Sequence, residues 1–534
     1  MIFINYYSSV NALGNSIPDI LKNLSDNHAP GMKESTHWLG SNKNAFYGNV
    51  LGELPVIADE FKRHNSRNNR LILAALQHNS DKFHSLVSKF SKNRVAVIMG
   101  TSTSGSNEAN EYVNAVISKL QTPSDFQGWA QELGDPSRFL SAYLGLSGPA
   151  YTISTACTSS ARSIISGARL IQSGMADAAI VGGADSLAKL PIHGFTSLEV
   201  MSRQKCRPFS SKRAGITIGE GAGVLVLSKE PSNLVLAGWG ETSDAYHISS
   251  PHPQGAGIET AMREALAMAR LQTSDIAYVN LHGTATRLND SAEGAAVRNL
   301  FGSVPCSSTK KLTGHTLGAA GITEAALICA LLDNPQTVLP SQFEDQSEMD
   351  EAFSGLGLLQ NPTTLRGHYM MSNNIAFGGN NTSLILADNW LPHRLPMRFI
   401  DELTEIDEEH AECRCDCKKA DRLELFKDEN GIIPNVFLIE MMAQAIGVWA
   451  GYYRKDDMEL SDVGFLLSVR GAELLVNKTP ANEVLTIKIQ KIIQDKNLAS
   501  FDGSVLSEKG ETLAHGKITV YQPTKIEYDK LFSN

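Results

Sequence analysis

Cys157 stands in "YTISTACTSSARSI" (151–164), among residues too small to cover it. A structural cysteine more usually sits among Leu, Ile and Phe; a nucleophile needs an open approach and a way to become thiolate. Thr152–Thr155 reads as a strand. After Cys157, Ala161, Ile164, Ile165, Ala168 and Ile171 recur at helical spacing until Gly174. A cysteine at a helix start is expected to gain thiolate character, and the free N–H groups there can face an oxyanion. Two histidines and a lysine occupy similar small-residue turns. His282 lies in "VNLHGTATRLND" (279–290), and Lys310 and His315 share "SSTKKLTGHTLGAAG" (307–321). Each alone is more often structural. Together with an accessible cysteine they form a constellation suited to covalent catalysis.

Such residues need rigid elements behind them. Apolar stretches ending in glycine-rich turns read as strands at 94–105, 177–186, 221–229, 276–286, 368–381 and 382–388. Continuous apolar strands suit a sheet buried on both faces. The order strand, glycine turn, helix, strand recurs in both halves of 1–388, which predicts a layered α/β domain with a structural duplication. The texture changes near residue 389, where "NWLPHRLPM" reads as a linker. Beyond it one long helix (435–453) and about five strands predict an α+β domain over 389–534.

Composition bounds the rest. The chain has 534 residues, 42% hydrophobic and 19% charged, enough for two or more cores. A net charge of −10 argues against a general nucleic-acid binder. Neither a secretory leader nor a membrane-length apolar run is visible, and seven cysteines in so long a chain do not form a disulfide framework. A cytoplasmic location is the expectation. "CRCDC" places Cys413, Cys415 and Cys417 on one face of a strand, which suits core packing better than zinc, so no metal is expected.

Residues 1–388 resemble the elongating β-ketoacyl-acyl-carrier-protein synthases. The stretches that carry this are "STACTSS", "VGGADSL", "RPFSSKRAGITIGEGAGVLVL", "DAYHISSPHPQGAG", "VNLHGTATRLND", "SSTKKLTGHTLGAAGITEA" and "AFGGNN". The resemblance implies a thiolase-like five-layered α/β/α/β/α fold, a dimer, Cys157, His282 and His315 as catalytic residues, and Lys310 as their support. It implies that Phe377 and Gly378, with Thr284 and Thr286, bound the substrate channel, Phe377 as its gate. It also implies docking of an acidic acyl carrier protein on a basic patch, for which Lys62, Arg63, Arg67 and Arg70 are the candidates and Lys205, Arg207, Lys212 and Arg213 the weaker ones. Two positions depart from the family. Arg287 replaces a proline and Ser210 an aspartate.

"LPHRLPMRFIDEL" (392–404) and "IIPNVFLIEMMAQAIG" (432–447) resemble hotdog-fold β-hydroxyacyl-carrier-protein dehydratases, and the branch found in aryl-polyene pathways is the nearer. The family's helix acid maps onto Glu440 and its glutamine onto Gln444. Glu440, between Leu438, Ile439, Met441 and Met442, is expected in apolar surroundings that raise its pKa for proton donation. The histidine that usually precedes the helix is missing, and His393 is the substitute base. The expectation is thus a condensing enzyme fused to a dehydratase in fatty-acid-like or aryl-polyene synthesis. It would work without a cofactor, as a homodimer or paired with a chain-length-factor-like subunit. The alternatives are an elongation synthase with a non-catalytic hotdog module, or a scaffold subunit.

Overall fold

The computed structural model describes residues 1–39, 43–123, 126–365, 367–389, 391, 393, 397–418, 423–429, 432–453, 460–461 and 463–532. Pro392 and Pro396 of the expected linker lie outside these. Two compact units form: 1–230, 234–365 and 369–387 in the first, 231–233, 366–368 and 388–534 in the second.

The first unit is built on ten strands: β1 (Ile2–Val10), β2 (Val95–Gly100), β3 (Ala150–Ile153), β4 (Ala178–Asp185), β5 (Gly221–Ser228), β6 (Leu234–Ser243), β7 (Ile276–Asn280), β8 (Cys306–Ser307), β9 (Tyr369–Ile375) and β10 (Asn380–Asp388). Their order is β8-β7-β9-β10-β6-β1-β5-β4-β2-β3. Read outward from the middle, each half runs first, fifth, fourth, second, third strand in its own chain order. β4 and β2 pair in parallel, as do β9 and β7; β5 and β10 return antiparallel. This is the duplication that the recurring pattern predicts. The halves meet where Ile2 and Phe3 of β1 pair with Leu236 and Val235 of β6. These two joining strands are absent from the sequence reading. β1 alternates in burial, and β6 carries Gly238 and Gly240, whose missing Cβ atoms admit the backbone of Ala265 and Ala261.

Six helices matter for the site: α1 (Arg67–Gln77), α2 (Asp135–Tyr143), α3 (Ser159–Gln172), α4 (Ala256–Ala269), α5 (Arg287–Phe301) and α6 (Ala320–Asp333). α1 and α2 pack on the first half-sheet, and α4, with α5 against it, on the second. α3 and α6 lie between the half-sheets, giving five layers, α/β/α/β/α. α6 is buried from Ala320 to Leu332 and, apart from Thr323 and Glu324, apolar on every face, as a helix enclosed on every side must be. The two central helices touch at Gly321. A Cβ there would stand 2.6 Å from the Ala161 nitrogen and 2.7 Å from its Cβ.

The second unit is a six-stranded antiparallel sheet, β11 (Glu402–Ile406), β12 (His410–Asp416), β13 (Phe465–Leu474), β14 (Val484–Asp495), β15 (Leu498–Leu506) and β16 (Thr512–Tyr521), ordered β11-β12-β14-β15-β16-β13. It packs on one long helix, α7 (Phe437–Tyr453), as a hotdog does. Cys413, Cys415 and Cys417 are buried and face α7 with Leu438, Met441 and Met442.

Gly321→Val should force the central helices apart and cost about 1–3 kcal/mol, the usual range for overpacking. Urea unfolding of the variant against wild type measures it; an unchanged midpoint would show that the contact is slack.

Candidate active sites

Equivalent connections of the two halves supply the first site. Cys157 lies between β3 and α3, and His315 between β8 and α6; His282 follows β7. Ala156, just before the cysteine, is held at φ +52°, and Ser159 Oγ donates to its carbonyl. A non-glycine residue in this region is strained, and the surrounding bonds hold it there. His315 Nε2 lies 3.0 Å from Cys157 Sγ, and the His282 and His315 rings meet edge to face at 5.1 Å. Donor atoms of all three residues fall within 4.8 Å of one another.

Buried acids hold these groups in place. Lys310 Nζ sits 3.3 Å from His282 Nδ1 and pairs with Glu324 on α6, whose other oxygen accepts from Asn374 Nδ2 at 2.6 Å. An ammonium only donates, so Nδ1 of His282 is the acceptor and its Nε2 carries the proton. Glu293 on α5 accepts from the backbone N–H groups of His282 and Gly283, at 2.8 Å each. Asp185 accepts from Thr101, Ser102, Thr103 and Gly318 and joins the loops beneath the cysteine and the α6 entrance.

Burial sets the charge states. It pushes the Cys157 thiol up to about 12, with Lys310 pulling the other way. Both histidines are lowered well below the usual imidazole value, first by burial and then by Lys310. Burial also lifts Glu293 to about 7. Burial thus opposes the thiolate expected from the helix start, favouring the thiol at Cys157 and the neutral form of both imidazoles. One cavity of about 320 Å³ contains Cys157, His282, His315, Thr284, Thr286 and Phe377. Phe377 packs edge-on against Phe195 at 5.5 Å, and Gly378 beside it turns at φ +88°. Arg287 lines this cavity too; Ser210 is buried in a turn whose Oγ accepts from Lys212 N.

The second site lies at the first turn of α7. Gln444 is buried, and every polar atom of its amide is used. Its Nε2 donates to Met397 O at 2.7 Å and to Glu440 Oε1 at 2.8 Å, and its Oε1 accepts from Phe399 N at 2.8 Å. His393 Nε2 is 3.5 Å from Glu440 Oε1. His410 and His515 lie instead against Asp407 and Glu473. The apolar surroundings expected for Glu440 are corrected. Its neighbours Leu438, Met441 and Met442 turn to the core, while its own side chain is 33% exposed.

Residues 62–232 match the β-ketoacyl synthase N-terminal domain, 234–343 its C-terminal domain, and 385–532 the ApeP dehydratase family. A chain of the solved complex of the ketosynthase ApeO with its chain length factor ApeC, from Xenorhabdus doucetiae, is 48% identical. That match covers 73% of this chain and 98% of the other, with a TM-score of 0.71. The chain belongs to the β-ketoacyl synthase family. A β-ketoacyl synthase from Burkholderia phymatum STM815 is 27% identical over 73% of this chain and 99% of its own, with a TM-score of 0.64. The 3-oxoacyl-[acyl-carrier-protein] synthase 2 of Staphylococcus aureus (strain COL) is 36% identical over 263 residues, 45% of this chain; the match spans 62% of that relative's length.

The cations proposed for docking divide in this synthase. Arg67 is bidentate to buried Glu220, at 2.5 and 2.7 Å, and Arg70 donates to the carbonyls of Leu54 and Pro55 at 2.9 Å. These two hold the fold together. Lys62 and Arg63 are exposed on a short 3₁₀ turn, Asp59–His64. Of the weaker candidates, Arg207 and Lys212 pair with Glu348 and Arg213 with Asp350. The sequence reading missed Glu324, Glu293 and Asp185. The signal was present for Glu324, an acid inside the apolar run "AGITEAALICALL".

Because Cys157 is a resting thiol, its alkylation by iodoacetamide should quicken about tenfold per pH unit from about pH 7 to about pH 10 without a plateau. Mass-spectrometric rates at Cys157 report this directly. A plateau near neutrality would mean a stable thiolate.

Proposed function

We propose that the synthase unit condenses a carrier-bound acyl group with malonyl-acyl carrier protein. The observation that carries this reading is Cys157 Sγ at 3.0 Å from His315 Nε2, with His282 fixed beside it by Lys310. On attack, the Sγ–H proton passes to His315, the Cys157 sulfur bonds the acyl carbon, and the carrier thiol leaves with the proton. Malonyl carrier protein then enters. The bond to its carboxylate breaks, carbon dioxide departs, and the enolate oxygen is held by the Nε2–H of His282 and, once its ring proton has moved from Nδ1 to Nε2, by His315. The enolate carbon attacks the acyl-cysteine, whose oxygen is received by the backbone N–H groups of Cys157 and Phe377. The Cys157 thiolate leaves and takes up a proton from solvent. Thr284, Thr286 and Gly378 border the carrier arm, Phe377 gates the cavity, and Lys62 and Arg63 receive the acidic carrier protein.

The second unit, in this reading, dehydrates the β-hydroxyacyl chain. His393 takes the α-proton and Glu440 gives a proton to the departing β-hydroxyl, so a double bond and water form. Gln444 occupies Glu440 Oε1, which leaves Oε2 to carry the acidic proton. The match to the ApeP dehydratase family favours an aryl-polyene-type product, with β-ketone reduction by a separate enzyme. A partner chain, such as a counterpart of the chain length factor that accompanies ApeO, would in this reading add at β3, an edge strand with Tyr151 exposed. The cytoplasm is the setting that fits seven free cysteines; among the described residues no helix is long and apolar enough to cross a membrane.

With acyl and malonyl carrier proteins, Cys157→Ala should lose condensation by on the order of 10⁴-fold or more. His282→Ala should still acylate but condense on the order of 10²-fold more slowly. The assay is run on the chain alone and with a co-expressed chain-length-factor-like subunit, which shows whether that partner is required. A Cys157→Ala protein that condenses normally would remove the nucleophile assignment.

In the full chain, Glu440→Gln should slow dehydration of a β-hydroxyacyl carrier protein by on the order of 10²–10⁴-fold, and His393→Ala by a similar factor. Loss with Glu440→Gln but not with His393→Ala would put the base elsewhere. A wild-type chain that condenses yet never dehydrates would make the second unit a binding module.

A further inference from the structure

The turn that carries Lys62 and Arg63 is short and exposed, yet its last residue, His64, is 2% exposed. His64 Nδ1 lies 2.6 Å from Oδ1 of Asp135, which is fully buried at the first position of α2. The other Asp135 oxygen accepts from Asn69 Nδ2 at 2.8 Å, and the same amide donates to the His64 carbonyl at 2.8 Å. Arg63 Nε donates to His64 Nε2 at 3.0 Å. A guanidinium has no acceptor, so Nε2 must be unprotonated and the proton of the neutral ring must sit on Nδ1, facing Asp135. Phe139 flanks the imidazole at 5.7 Å, and Phe61 of the same turn packs on Phe139 and Tyr143.

We propose that His64 is a positioning residue for carrier docking: the Asp135–His64 pair holds Arg63 by its Nε, so that the guanidinium stands ready at the surface for an acidic partner. The inference rests on the docking role given above to Lys62 and Arg63. An arginine held through Nε keeps its Nη groups for a second contact, and a side chain ordered in advance loses less freedom when the partner arrives. Asp135 adds no attraction of its own at the surface. It is buried and bonded, and its part is to select the tautomer that leaves Nε2 as an acceptor.

The two ring nitrogens can be tested apart. In His64→Asn the amide nitrogen stands near Nδ1, keeping the bond to Asp135 and losing the acceptor for Arg63. In His64→Gln the amide oxygen reaches near Nε2 and keeps that acceptor. The readout is kcat/KM for malonyl carrier protein divided by kcat/KM for malonyl-pantetheine, measured on the full chain at low salt. We expect Arg63→Ala and His64→Asn each to lower this ratio by on the order of tenfold through KM. His64→Gln should stay within about twofold of wild type, and the Arg63→Ala/His64→Asn double variant should be no worse than Arg63→Ala. If Arg63→Ala leaves the ratio untouched, the docking role itself fails. If Arg63→Ala lowers it while His64→Asn does not, or if His64→Gln is as damaging as His64→Asn, positioning by His64 is overturned and the docking role stands.

Discussion

The buried pair of Lys310 and Glu324 is the contact on which the synthase unit turns. It joins the loop after β8 to the central helix α6, and it lies within a core that is otherwise apolar for most of the helix length. Two charges taken out of water demand good geometry and further hydrogen bonds. Asn374 supplies one from β9, and His282 receives the lysine from the end of β7. Three elements of the second half are thereby tied to a single cation, and the same cation decides which nitrogen of His282 faces the cavity. The fold and the protonation pattern of the site come from one interaction.

The duplicated topology explains why Cys157 and the two histidines meet. Each half places a loop and then a central helix after its third strand. When the two helices pack at Gly321 and Ala161, the loops that precede them converge. Cys157 is contributed by one half, His282 and His315 by the other. Close approach is possible because small residues line the seam. Burial there raises the thiol of Cys157 and lowers the imidazole of His315, so both favour their neutral forms.

In the second unit the organising group is an amide instead of a charge. Gln444 satisfies the backbone of Met397 and Phe399 and turns its remaining hydrogen to Glu440. Met397 and Phe399, which follow His393 in the chain, are thus pinned from within the core.

Sequence by itself singled out the candidate residues of the first site: Cys157, His282, Lys310 and His315 stand in small-residue turns after apolar strands, a local signal readable without a partner. It also determined the recurring strand and helix order, the change of texture near residue 389 and the core-facing cysteines of β12. Tertiary structure decided the charge states, because desolvation depends on what packs around a group and not on its neighbours in sequence. It decided that Arg67 belongs to Glu220, 153 residues away, and Arg70 to two backbone carbonyls, which a run of basic residues cannot reveal. It made β1 and β6 the joining strands, since their pairing partners are remote and their own patterns are weak. And it turned Glu440 away from its apolar neighbours, because residues adjacent in a helix point in different directions around its axis.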